Sequence, residues 1–462
     1  MVRQSSLSLN DMHQWIDTNR PVWMEEFMTF LRFPSISSEM QFNPAMKECA
    51  DWLMRYLKNL DFKIELWPTK GHPVIYASNN EAGPDKPTLL IYNHYDVQPV
   101  DPLEQWQTPP FQPELRKGEI YARGAQDNKG QCFYTLQSLK MIRELTGSFP
   151  INIKLCIEGE EEIGSTGLAA ILMQKKEALQ ADYLAIVDLG IQNAARPALT
   201  LGIRGIVTLD VEVQGSSTDL HSGSHGGIVP NPIHALVKLL ASLRDDRGEI
   251  TIAGFYDEVN TISLQERSAV SFDFDVDEYY QQTGAAPTGG EMSYAVLERA
   301  WLRPTLEING ICGGYTGTGF KTVIPAKAMA KISCRLVPDQ QPAEIGKKIA
   351  DYLNKNAPLG IEVKVDVHSG QGKAVRVSPH AKVVKAFSLA FEEVFKVKCT
   401  YIYEGASIPI AAELAAVSGG ETILLGLGLT TDQIHAPNEH FGVDRLEKGI
   451  LIMARALMLL SV

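Results

Sequence analysis

Cysteine is scarce in this chain. Six occur in 462 residues (Cys49, Cys132, Cys156, Cys312, Cys334 and Cys399), far apart and without a C-x-x-C pair. That distribution argues against a disulfide framework and for reduced thiols in a cytoplasmic protein. Positive charge is in deficit, with 43 Lys and Arg against 55 Asp and Glu and a formal net charge of -12. Neither nucleic acid nor an anionic membrane is therefore expected as a partner. No apolar run approaches the roughly 20 residues that span a bilayer. Met1 to Trp15 is polar and lacks the apolar segment of a secretory signal. There is no G-x-S-x-G elbow to support a serine hydrolase. His221 and His225 are four apart, but Gly223 and Gly226 disfavour a helix between them, and no H-E-x-x-H occurs. The glycine-rich stretch Gly313 to Gly319 leads into an extended Phe320 to Pro325, whereas a dinucleotide fingerprint must open a helix.

What is present describes an ordinary globular protein, 45% hydrophobic and 21% charged, long enough for two domains. A helix is expected over Asn10 to Leu31, interrupted near Pro21. A second opens at Asn43-Pro44 with the core stripe Met46, Ala50, Leu53, Met54 and Leu57. Strands at Phe62–Leu66, Val74–Ala77, Thr88–Asn93, Ile151–Ile157 and Tyr183–Val187 alternate with helices near Lys129–Leu145 and Thr166–Lys176. Such alternation predicts an α/β domain, a mostly parallel sheet with helices on both faces and ligands beyond the carboxyl ends of its strands. After Gly202-Ile203-Arg204-Gly205 the pattern changes, because Val207 to Val213 alternates cleanly, as a sheet with one wet face does. Setting aside the long Arg244–Arg303 insertion, the order from there to Val367 is βαββαβ, a ferredoxin-like α+β arrangement. Residues 204–375 read as a domain inserted between 1–203 and 376–462.

Metal-capable side chains gather at predicted strand ends. Asn93-His94-Tyr95-Asp96 could let His94 bind metal while Asp96 holds the other imidazole nitrogen. The loop Arg123-Gly124-Ala125-Gln126-Asp127-Asn128-Lys129-Gly130, the triplet Glu160-Glu161-Glu162 and Asp188 follow, with His435 beyond a later strand. Each alone is explained by caps and turns. Together they suggest His, Asp and Glu ligands for a hard or borderline divalent ion. Five ligands with one shared carboxylate would hold two ions about 3.5–4 Å apart, leaving a further Glu to move protons.

These stretches resemble the M20 family of dinuclear metallopeptidases, in its cytosolic non-specific dipeptidase and carnosinase branch. The carriers are Leu-Ile-Tyr-Asn-His94-Tyr-Asp96-Val-Gln-Pro, Tyr-Ala-Arg-Gly-Ala-Gln-Asp127-Asn-Lys-Gly and Glu-Gly-Glu-Glu161-Glu162-Ile-Gly-Ser. Asp219-Leu-His221-Ser-Gly, Lys321-Thr-Val-Ile-Pro, Cys-Arg335-Leu-Val-Pro, Glu404-Gly-Ala-Ser407-Ile-Pro and Ile-His435 extend the match over almost the whole chain. The resemblance implies one metal on His94, Asp127 and Asp188 and a second on Asp127, Glu162 and His435. The ions would be Zn²⁺ first, with Mn²⁺ or Co²⁺ as alternatives. It further implies Glu161 as general base, Asp96 as the residue orienting His94, and a cis peptide at Asp127-Asn128. The inserted domain would be a lid that also dimerises, and His221 would stabilise the oxyanion at the partner subunit's active site. Arg335, with Asn309 and Ser407, would bind the substrate. The implied reaction is hydrolysis of dipeptides or short peptides with a free carboxylate by a metal-bound hydroxide. Deacylation or desuccinylation of N-acyl amino acids is the alternative, and a catalytically silent metal- or peptide-binding protein the third reading. Gln126, Asn128, Glu160 and Ala406 depart from the family's usual residues. Glu160 has no necessary role and is expected to turn from the metals, toward solvent or behind the ligands.

Overall fold

The computed structural model describes residues 7–261 and 274–461. Part of the expected Arg244–Arg303 insertion lies outside them. Contacts divide the chain into two units, one of Met1–Leu201, Val377–Ile402 and Ile410–Val462, the other of Gly202–Arg376 and Tyr403–Pro409. The Tyr403–Pro409 segment belongs with the second unit although the sequence gives no sign of it.

The larger sheet has nine strands with a parallel centre. Asn152–Glu158, Thr88–His94, Tyr183–Gly190 and Glu421–Gly428 lie side by side in that order, all pointing the same way. Thr88–His94 is buried at every position after the first, which is why its residues are apolar on both faces until Asn93 and His94. Antiparallel strands extend both sides, Val74–Asn79 and Lys63–Trp67 on one and Ala198–Ile203 on the other. The carboxyl ends of the parallel strands deliver His94, Glu158 and Asp188 to one edge.

The helix Lys129–Thr146 starts directly behind that edge and buries most of its length, while Val443–Leu460 buries a broad face. The first helix, Leu9–Leu31, is not interrupted at Pro21. Pro21 sits on the exposed side, and the buried stripe Ile16, Trp23, Phe27 and Phe30 holds the helix continuous around it. The helix expected over Thr166–Lys176 is two pieces, Thr166–Ile171 and Lys176–Leu179.

The second unit is the ferredoxin-like fold. Its elements run Gly205–Gln214, helix Pro232–Ala241, Thr305–Gly313, Lys327–Leu336, helix Pro342–Lys355 and Glu362–Val367. The sheet order is Thr305–Gly313, Lys327–Leu336, Gly205–Gln214, Glu362–Val367, every pair antiparallel. Gly205–Gln214 alternates buried with half-buried positions throughout, as its sequence predicts. Val207, Leu209, Val211 and Val213 form a core with Leu236 and Leu239 of one helix and Ile345, Ile349 and Leu353 of the other. Thr305–Gly313 is longer than expected and bulges at Asn309.

Candidate metal centre

His94 is fully buried at the end of its strand. Its Nδ1 lies 3.1 Å from the Asp96 carbonyl and 3.3 Å from Asp96 Oδ1. That leaves Nε2 facing Asp127 Oδ1 at 3.2 Å and Asp188 Oδ1 at 3.5 Å. Asp96 also accepts from the backbone N–H of Glu161 (3.2 Å) and Glu162 (3.1 Å) and from Ser37 Oγ (2.7 Å). One carboxylate thus fixes the His94 ring and fastens the glutamate triplet to the neighbouring strand end.

The Arg123–Asp127 loop wraps around Glu439, a completely buried residue. Glu439 Oε2 accepts from Arg123 Nη1 (2.7 Å) and Gly124 N (2.8 Å), and Oε1 from Gln126 N (3.0 Å) and Asp127 N (3.1 Å). The Asp127–Asn128 peptide is cis. Asn128 Nδ2 donates to Asp188 Oδ1 (2.5 Å), and its Oδ1 accepts from Asn93 Nδ2 (2.8 Å). His435 Nε2 stands 2.9 Å from Asp127 Oδ2 and 3.3 Å from Glu162 Oε2, and Gln98 Nε2 donates to that same Glu162 oxygen at 2.9 Å. His435 is 52% exposed where His94 is 0%, so the solvent side of the cluster is the His435 side.

Two groups of possible ligands result: His94, Asp127 and Asp188, and Asp127, Glu162 and His435, each with donor atoms within 4.8 Å of one another. Asp127 is common to both. Glu161 belongs to neither, although its Oε2 is 4.0 Å from His94 Nε2. Burial pushes Glu161 well above the usual carboxylate range against the pull of His94, and Asp188, Glu162 and Asp127 add repulsion. Burial and Asp127 together push Glu162 up to about 7, and burial raises Asp188 against the pull of His94. Burial also works against a charge on Asp127, but hydrogen bonds with His435 and His94 hold its carboxyl below the ordinary range. Those contacts with Asp127 and Glu162 raise His435 to about 11. A buried cluster with more carboxylates than cations is costly in apolar surroundings. Moreover, His94 Nε2 and Glu162 Oε1 are buried without a hydrogen-bond partner. Two divalent cations fit this donor set, since they would satisfy both orphaned atoms and offset the excess negative charge.

The remaining expected site residues all belong to the second unit. Arg335 Nη1 donates to Ser407 Oγ at 2.8 Å. Asn309 is exposed at the strand bulge. His221 is exposed, with its Nδ1 accepting from Gly223 N at 3.0 Å.

Residues 90–459 match the peptidase family M20/M25/M40. The chain belongs to that family. It is 31% identical over 464 residues to the Cys-Gly metallodipeptidase of Schizosaccharomyces pombe, covering 96% of each chain. With the Beta-Ala-His dipeptidase of Mus musculus it shares 32% over 399 residues, 84% of this chain and 80% of the other. Among solved structures, the M20 family metallo-carboxypeptidase Sso-CP2 of Sulfolobus solfataricus superposes with a TM-score of 0.87 at 33% identity, over 95% of this chain and 99% of that one. The metal-ligand candidates of this M20 member fit a dinuclear hydrolase site.

Sequence reasoning missed the supports. Glu439 lies four residues beyond His435, and Asn128 drew notice as a departure from the family and as half of the expected cis peptide, not as a support. Ser37 carries no sequence signal as a site residue, and Gln98 lies in the stretch that follows His94 and Asp96 without a role assigned to it. The suggestion that Glu160 faces solvent is corrected, because it is buried. Its carboxyl fills a slot where a Cβ on Gly71 or Gly167 would come within 1.8 Å of its oxygens.

Proposed function

We propose that this M20 peptidase hydrolyses dipeptides, or short peptides with a free C-terminal carboxylate, using two divalent metal ions. The observation that carries the reading is the pair of ligand groups joined by Asp127, with Glu161 beside both and in neither. His94, Asp127 and Asp188 would hold one ion, and Asp127, Glu162 and His435 the other, Zn²⁺ before Mn²⁺ or Co²⁺. When bound, the ions supply Lewis acidity toward water and the scissile carbonyl. Glu161 takes the proton of the attacking water and returns it to the leaving amine, a task suited to a carboxylate that stands beside the ligands and belongs to neither group. Asp96 keeps the His94 ring in one orientation. His221 stabilises the oxyanion from a partner subunit. Arg335 binds the substrate carboxylate, aided by Ser407 and, from the exposed bulge, Asn309.

The same reading makes the protein a cytoplasmic homodimer whose second unit, residues 204–375 in the sequence, is both lid and interface. Six unpaired cysteines support the compartment. The Thr305–Gly313 strand is a sheet edge with Ile308 and Ile311 exposed, which supports pairing with a second copy. Among the described residues no helix is long and apolar enough to cross a membrane. Sedimentation of the wild type should give a dimer that I311K converts to monomer; a wild-type monomer sinks this part. The catalytic test is a screen of dipeptides against N-acetyl and N-succinyl amino acids, with each metal restored to the apo protein. Dipeptide hydrolysis is expected. Turnover of the N-acyl compounds alone would make the protein a deacylase.

A further inference from the structure

Arg335 has a neighbour of the same charge. Along Gly205–Gln214 the half-buried positions Ile206, Thr208 and Asp210 share one face, and Arg204, one residue before the strand, continues that alternation. Arg335 pairs with Ile206 across the sheet, so the two guanidinium groups approach the same corner. Both are half-buried. Burial, with the positive charge of Arg335, lowers Arg204 to about 10.

The acidic groups near them take their hydrogen bonds from other donors. Glu404 Oε1 accepts from Gly405 N (2.7 Å) and Ala406 N (3.2 Å), Glu307 pairs with Arg244 (2.8 Å), and Glu291 pairs with Arg303. Arg204 instead grips backbone. Its Nε donates to Gly405 O (2.9 Å), its Nη1 to Arg303 O (3.2 Å) and its own N–H to Ala406 O (3.2 Å). Ser407, two residues on, is the hydroxyl that receives Arg335. Arg204 thus hydrogen-bonds through Nε and Nη1, and Arg335 through Nη1. Glu404 attracts both guanidinium groups and Glu307 attracts Arg204, so two close cations share this acidic surround and keep further donors for an added anion.

We propose that Arg204 is a specificity-determining positioning residue: it fixes the Glu404–Ser407 segment and adds a second positive charge beside Arg335, tuning this corner to a free carboxylate. The inference rests on the reading of Arg335 given above. The test compares each dipeptide with its C-terminal amide in wild type, R204M, R204K and R335M. For R204M, kcat/KM on the acid should fall about tenfold through KM, while the amide changes less than about threefold. R204K, which keeps the charge but cannot hold Gly405 O and Arg303 O together, should recover part of the acid/amide ratio. Should R204M fail to fold, R204K carries the test, with a ratio at least about threefold below wild type expected. Equal losses on acid and amide would show a merely structural role and overturn the proposal. If R335M lowers the ratio and the Arg204 variants do not, only this inference fails. If R335M leaves the ratio unchanged, the carboxylate reading of Arg335 fails first.

Discussion

Between Gly71 and Gly167 the Glu160 carboxyl is packed against backbone, with one long hydrogen bond from Thr69 (3.4 Å). Its two neighbours meet different surroundings. The backbone N–H groups of Glu161 and Glu162 are both tied to Asp96, which turns the following side chains toward the histidines. Glu162 then reaches His435 and is braced by Gln98. Glu161 sits by His94 without completing either ligand group. E161Q should therefore keep the fold and both metals, read by metal analysis, and lose at least about 10²–10⁴ in kcat. Gln is isosteric with Glu and retains the packing of Glu160, so E160Q should stay within about threefold of wild-type kcat. Substantial turnover by metal-loaded E161Q would remove the base assignment. Equal losses from E160Q, E161Q and E162Q would mean that the register of the triplet is wrong.

Two loops meet at Glu439, and they are the loops that carry Asp127 and His435. A single carboxylate receives four donors from the first loop while it sits four residues past His435 in the second. Gln in its place would turn a donor toward backbone N–H groups and leave at least one of them buried and unpaired. E439Q should cost about 1–3 kcal/mol in urea unfolding. It should also weaken metal binding about 10–100-fold, as loss of a ligand's support typically does. Unchanged metal affinity in a destabilised protein would confine Glu439 to folding. This support was hidden in the sequence for a physical reason: a Glu that caps backbone amides from a distant loop looks like any charged turn residue. The strands were easier to read. Thr88–His94 and Gly205–Gln214 declare themselves by continuous and alternating burial, and the His94, Asp127 and Glu162 stretches by family likeness. Short pieces such as Glu114–Arg116, Glu119–Tyr121 and His440–Gly442 were not legible, since each is three residues long and the third joins the hairpin of the first two only by contacts across more than 300 residues. Pro21 misled for the converse reason, as propensity yields where a buried stripe holds the helix.

Every candidate ligand lies in the first unit, in segments as far apart in sequence as His94 and His435, whereas the second unit has a core of its own. Metal binding should thus stabilise the two units unequally. A ligand bound only by the folded state adds about 2.7 kcal/mol at a free concentration of 100 Kd, and that increment falls on the unit whose loops the ions join. Without ions, raised Glu161, Glu162 and Asp188 carboxyls and unpartnered His94 Nε2 leave the cluster poorly satisfied. The amides that should respond are those of Glu161 and Glu162 on Asp96, and of Gly124, Gln126 and Asp127 on Glu439. Hydrogen exchange with chelator against excess metal is the measurement. Protection should drop at those amides and along the carboxyl ends of the parallel strands. It should hold in Gly205–Gln214 and Lys327–Leu336, whose ladder closes over the Val207, Leu236 and Ile349 core without any of the ligands. An equal drop in both sheets would mean that the ions stabilise the molecule through some route other than these loops, and the assignment of His94, Asp127, Glu162, Asp188 and His435 would have to be withdrawn.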